Sequence, residues 1–196
     1  MATMASVHES DAIAGVYVVE PELHGDERGV FVESYRREWV PGAAEMIQGN
    51  RADRTRGCLV GLHFHRFQAD YWYVTSGQAR VVLHDLRAGS PTEGATLTLE
   101  LGRHADGAAD HRAVYIPPGV AHGFAALTDV TVTYLVDRYY DPADELGIAW
   151  DDPEVGAEWG IDDPVLSARD RGNPKRAELT DRPAYDAAAS DPGPPG

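Results

Sequence analysis

Short runs of alternating or β-branched residues recur along the chain, each closed by Gly, Pro, Asp or Ser. They fall at Val16–Val19, Val30–Tyr35, Leu59–Phe64, Tyr71–Thr75, Ala79–Asp85, Thr96–Leu101, Ala113–Ile116, Gly123–Leu127 and Val130–Val136. A period of two bounded by turn residues is the signature of half-buried strands. So many short strands at close spacing predict an all-β fold, a jelly roll, sandwich or barrel. A helical period is plausible only around Arg36–Trp39 and in a short C-terminal piece at Pro142–Glu145.

Length and charge narrow this picture. The 196 residues suit one domain with tails: a flexible stretch 1–12, a folded body 13–175 and a tail 176–196. The end of that tail, Ala187–Gly196, is small, acidic and Pro/Gly-rich, a composition expected to be disordered. The single cysteine, Cys58, excludes a disulfide framework and suits a reducing compartment. The opening Met1–Asp11 is polar and Ile13–Val19 is too short to span a bilayer, so a cytoplasmic protein without membrane contact is expected. A net charge of −15 argues against nucleic-acid partners but leaves room for a small phosphorylated ligand.

The chemistry concentrates in two segments. His63 and His65 stand two apart on a predicted strand, so their side chains share a face. Asp70 and Gly77 follow, and much later Pro117-Pro118-Gly119-Val120-Ala121-His122. His-x-His, an acidic residue and a glycine, then Pro-x-Gly-x-x-His, match the two signatures of cupin jelly rolls. Imidazoles and a carboxylate converging inside a barrel can hold a divalent metal (Fe, Mn, Ni, Zn or Cu), and no organic cofactor is expected. The ordinary alternative is a set of hydrogen-bonded core histidines. Four candidates in order, His63, His65, Asp70 and His122, weigh against it.

A more specific likeness runs through nearly the whole folded part. Asp26-Glu27-Arg28-Gly29-Val30-Phe31-Val32-Glu33, the pair Gln48 and Asn50, Gly61-Leu62-His63-Phe64, and Ile116–Phe124 carry it. Tyr139-Tyr140, Gly147–Pro153 and Leu166–Arg171 complete it. Together they resemble the dTDP-4-dehydrorhamnose 3,5-epimerase family of the cupin superfamily. The resemblance implies an isomerase acting on a nucleotide-activated 4-keto-6-deoxysugar by proton removal and return next to the ketone. His63 would be the base, Asp170 its orienter and Tyr134 the acid. Arg28 would contact the diphosphate, and Phe31 would stack on the base. Glu33, Gln48 and Asn50 would hydrogen-bond base or ribose, and His122 would line the pocket. Some of these groups would come from a neighbouring subunit, which implies a homodimer. Taken singly, each has a plainer reading as a surface ion pair, a turn residue or core packing.

Three positions depart from the family together. Val60 stands where an arginine that grips the diphosphate is expected, His65 where glutamine is usual, and Asp70 where a lysine stabilises the enolate. Losing one donor to a developing oxyanion costs about 3–4 kcal/mol. A divalent ion on His63, His65, Asp70 and His122 would restore the lost positive charge and act as a Lewis acid. Two other functions stay open on the sequence: a metal-dependent cupin oxygenase, lyase or cyclase on another small metabolite, and a sugar-binding module without turnover.

Overall fold

The computed structural model describes residues 5–103 and 109–186. The strands are β1 (Ser6–Glu9), β2 (Tyr17–Glu20), β3 (Leu23–Asp26), β4 (Gly29–Val32), β5 (Gln48–Arg54), β6 (Leu59–Phe64) and β7 (Asp70–Ser76). The chain continues through β8 (Gln78–Asp85), β9 (Thr96–Arg103), β10 (Ala109–Asp110), β11 (Ala113–Ile116), β12 (Val120–Ala126), β13 (Val130–Val136) and β14 (Leu146–Gly147). One α-helical turn, α1 (Ala168–Arg171), and 3-10 turns at Arg37–Trp39 and Arg176–Glu178 complete the elements.

Two six-stranded sheets form a jelly roll, ordered β1-β2-β11-β7-β13-β5 and β10-β9-β8-β12-β6-β14. Every pairing in them is antiparallel. The alternation explains the layering. On β7, Trp72 and Val74 enter the core between the sheets while Tyr71 and Tyr73 join a second cluster with Trp39 and Val40. On β12, Val120, Phe124 and Ala126 face that central core, and Ala121 and Ala125 pack under Ile148, Val155 and Trp159. Both faces of the central strands are therefore covered, which is why β12 is buried throughout.

Several expectations need correction. Pro142–Glu145 is turn rather than helix, because Asp144 turns inward and accepts the backbone N–H groups of Arg66 and Phe67 at 2.7 and 3.1 Å. The first twelve residues are not wholly loose, since β1 pairs with β2 from Ser6 to Glu9. The segment after Arg176 packs at least to Tyr185, whose N–H donates to the Ala88 carbonyl and whose ring lies under Arg87. The expected disorder of Ala187–Gly196 lies outside the described residues. Among the described residues no helix is long and apolar enough to cross a membrane.

Candidate active site

Between the sheets opens a cavity of about 350 Å³. Gln48 and Asn50 on β5, Val60 and His63 on β6, Asp70 and Trp72 on β7, His122 and Phe124 on β12 and Tyr134 on β13 all line it. His65, Gln68, Tyr140 and Glu145 from loops and Arg169 from α1 complete the lining. The close approach of β6 and β12 places two of the histidines side by side, with His63 opposite His122 in the register. Glycine is required there: a Cβ on Gly61, whose φ is +112°, would sit 2.7 Å from the His122 carbonyl oxygen and 2.8 Å from the Gly123 Cα.

Two constellations share this cavity. In the first, His63 Nε2 lies 2.6 Å from Asp170 Oδ1. Asp170 sits in α1, whose N-cap Ser167 accepts the Asp170 backbone N–H and donates its hydroxyl to Oδ2 at 2.9 Å. Burial works to raise the Asp170 carboxyl, but the hydrogen bond and charge of His63, with the Ser167 hydroxyl, outweigh it and hold the pKa below the ordinary value. The other ring nitrogen of His63 is 3.8 Å from Glu145, which is itself tied to Arg169 at 2.8 Å. Tyr134 stands on the opposite sheet, and burial, then the Asp70 charge, raises its phenol pKa, so it remains a neutral donor.

The second constellation is His65, Asp70 and His122, three buried residues with one candidate ligand atom each, all within 4.8 Å of one another. His65 Nδ1 is 2.8 Å from the Asp144 carbonyl and His122 Nδ1 is 3.0 Å from the Val120 carbonyl. A carbonyl only accepts, so each Nδ1 carries a proton, and in the neutral imidazole it is Nε2 that presents the lone pair. Those Nε2 atoms face Asp70 at 4.0 and 3.9 Å. Trp72 and Gln68 each donate to one Asp70 oxygen at 2.9 Å. Burial drives the His122 pKa down to about 4 against the pull of Asp70, which keeps its imidazole neutral.

The residues singled out from sequence divide three ways. Gln48, Asn50, His63, His65, Asp70, His122 and Tyr134 all reach the cavity, and Asp170 joins through His63. His63 is not part of the ligand group, which corrects the four-residue metal set to three: its Nε2 is taken by Asp170, and β6 ends at Phe64, so His65 does not simply continue the face of His63. Arg28, Phe31 and Glu33 do not line the cavity. They lie on or just after the separate β3–β4 hairpin, where Arg28 pairs with Asp26, Glu33 with Arg36, and Phe31 is 70% exposed. Glu145, Arg169, Gln68 and Trp72 were not foreseen as site residues. Polar residues in loops and one tryptophan in a strand carry no sequence signal of their own.

Comparison with known proteins identifies the family. Residues 10–178 match the family dTDP-4-dehydrorhamnose 3,5-epimerase. The chain belongs to this family. The Shigella flexneri dTDP-4-dehydrorhamnose 3,5-epimerase is 34% identical over 166 residues, 81% of this chain and 89% of that one. Among solved structures, NovW, a 4-keto-6-deoxy sugar epimerase from the novobiocin biosynthetic gene cluster of Streptomyces spheroides, superposes with a TM-score of 0.85. It is 33% identical and covers 97% of this chain and 98% of its own. The Legionella pneumophila dTDP-6-deoxy-D-glucose-3,5-epimerase in complex with dTDP-4-keto-L-rhamnose gives 0.82 at 30% identity, covering 93% and 100%. Within the epimerase family, then, this member combines a His–Asp pair with a second cluster of two histidines and a carboxylate.

Proposed function

We propose that the protein is an epimerase of a dTDP-linked 4-keto-6-deoxysugar, removing and returning a proton at carbon next to the ketone. The observation that carries this reading is the His63–Asp170 pair opening into a cavity whose opposite wall presents Tyr134. Asp170 fixes the ring of His63 so that its remaining nitrogen can take the C–H proton, and the electron pair moves into the carbonyl to give an enolate. Tyr134, held neutral by burial, returns a proton from the other sheet, inverting the carbon, and is itself reprotonated from solvent.

Nucleotide recognition belongs to the same reading. Gln48 and Asn50 are hydrogen-bonded to each other at 3.0 Å on the cavity wall, placed to meet base or ribose. The apolar, exposed Val30 and Phe31 on the hairpin fit a homodimer in which each protomer lends Arg28, Phe31 and Glu33 to its partner's cavity. A cytoplasmic enzyme follows from a substrate of that class. The cavity offers little positive charge: Val60 and Asp70 stand where the family resemblance implies cations, and Arg169 is engaged by Glu145. A divalent cation is our reading of what supplies it.

The test is incubation with dTDP-4-keto-6-deoxyglucose in deuterated water, followed by mass and NMR analysis of the sugar. Deuterium should enter next to the ketone. No exchange with any divalent metal supplied would sink the proposal. It would favour a second reading, a metal-dependent cupin enzyme on another metabolite, which draws on the His65–Asp70–His122 group alone.

A further inference from the structure

We infer that His65, Asp70 and His122 form a three-ligand centre for a divalent ion of the Fe²⁺ or Mn²⁺ type, standing beside the His63–Asp170 pair and independent of it. Four features lead there. The ligand atoms converge within 4.8 Å, and all three residues are buried. Both imidazoles have their tautomer set by a backbone carbonyl behind the ring, the arrangement that aims a neutral Nε2 lone pair at a metal. Asp70 is held by a donor on each oxygen, Trp72 and Gln68, so the carboxylate has one orientation. Its ion-pair partners among the described residues are the two histidines, and Nε2–O separations of 3.9 and 4.0 Å are too long for hydrogen bonds.

Burying a carboxylate, here 3% exposed with two histidines as its ion-pair partners among the described residues, carries a desolvation cost. An ion between the three groups removes that cost. Metal–ligand bonds of about 2.0–2.2 Å bridge atoms up to about 4.2–4.4 Å apart, so the observed separations need only a small adjustment. Two histidines and one carboxylate on one side, with open positions toward the cavity, suit non-haem iron and related ions better than a closed structural zinc site. The centre is not shared with the base: the atoms that converge within 4.8 Å are those of His65, Asp70 and His122, while His63 Nε2 meets Asp170.

This would give the ion a task that rests on the epimerase reading: it would take the charge developing on the ketone oxygen, where the family resemblance implies a lysine at the position of Asp70. The His63–Asp170 pair keeps the proton transfer. Binding and catalysis are thus separable in experiment.

Protein purified without a metal-capturing tag is stripped with chelator and titrated with Mn²⁺, followed by electron paramagnetic resonance, with elemental analysis of the unstripped protein alongside. One ion per chain is expected in the wild type and in His63→Asn, and at least a hundredfold weaker binding in His65→Gln and Asp70→Asn. The double variant His65→Gln/Asp70→Lys should bind no ion and exchange substrate deuterium without one. Circular dichroism and melting confirm that each variant folds. A wild type that holds only water at the site, or a His63→Asn that loses the ion as Asp70→Asn does, overturns the inference. Stoichiometric ion without deuterium exchange leaves the centre standing and removes the epimerase reading. Full exchange by stripped wild-type protein leaves the epimerase and removes the ion's catalytic task.

Discussion

His63 and Asp170, 107 residues apart in the chain, meet at 2.6 Å, and the acid reaches the imidazole from a single helical turn capped by Ser167. Asp170→Asn should keep the fold and lose the orientation of the ring. A drop of about 10²–10⁴-fold in deuterium exchange is expected. A variant within a factor of two or three of wild type would show that Asp170 plays no part in the proton transfer.

Tyr134 faces the cavity from the other sheet as a neutral phenol. Tyr134→Phe should leave deuterium exchange at the first carbon largely intact while epimerised product falls by about 10²-fold or more. Chiral analysis of product beside isotope uptake separates the two steps. Equal loss of both would assign Tyr134 to proton removal or to binding.

On the hairpin, Phe31 is exposed and contributes nothing to this protomer's core. Phe31→Ala should change stability by less than about 0.5 kcal/mol, as surface substitutions do. It should raise KM for the dTDP-sugar about tenfold with kcat little changed. Melting curves and steady-state kinetics check both halves, and an unchanged KM would remove the hairpin from nucleotide binding.

Gly61 has no room for a side chain, with β12 backbone atoms within 3 Å of where its Cβ would stand and a φ of +112°. Gly61→Ala should cost about 3 kcal/mol or more, by combined overlap and backbone strain. A urea midpoint within error of wild type would mean that β6 and β12 can separate freely there.

His84 is fully buried, its Nδ1 on Thr96 and its Nε2 without a hydrogen-bond partner among the described residues. Burial, reinforced by the Arg176 charge, lowers its pKa from 6.5 to about 4. As pH falls the unfolded chain takes up this proton first. The stability His84 contributes is therefore whole above about pH 6.5 and lost between there and about pH 4, at most about 3 kcal/mol. His84→Leu should flatten that part of the profile. Parallel losses of urea midpoint between pH 7 and 4.5 in both proteins would refute the assignment.

Strands buried on both faces were legible because each core requires an apolar residue at every second position or a continuous apolar run. Hence Leu59–Phe64, Ala113–Ile116 and Val130–Val136 are found at the expected bounds. The strands of the two sheets that escaped notice, β1, β5, β10 and β14, are the four edges. An edge strand is held by backbone hydrogen bonds along one side and can be polar, as Gln48–Arg54 is, so it leaves no hydrophobic period. Of the residues the motifs singled out, seven line one cavity.

Local order along the chain thus carried the fold class and the family, because periodicity and motif spacing are properties of neighbouring residues. Which group does which work was decided by long-range placement. His63 is withdrawn from the ligand set by an aspartate from a distant turn, and His65 is turned toward Asp70 by the carbonyl of Asp144. Arg28 and Phe31 are kept out of the cavity by a hairpin that forms its own two-stranded sheet. The jelly roll decides these through contacts between residues dozens of positions apart, so no short stretch of sequence contains them.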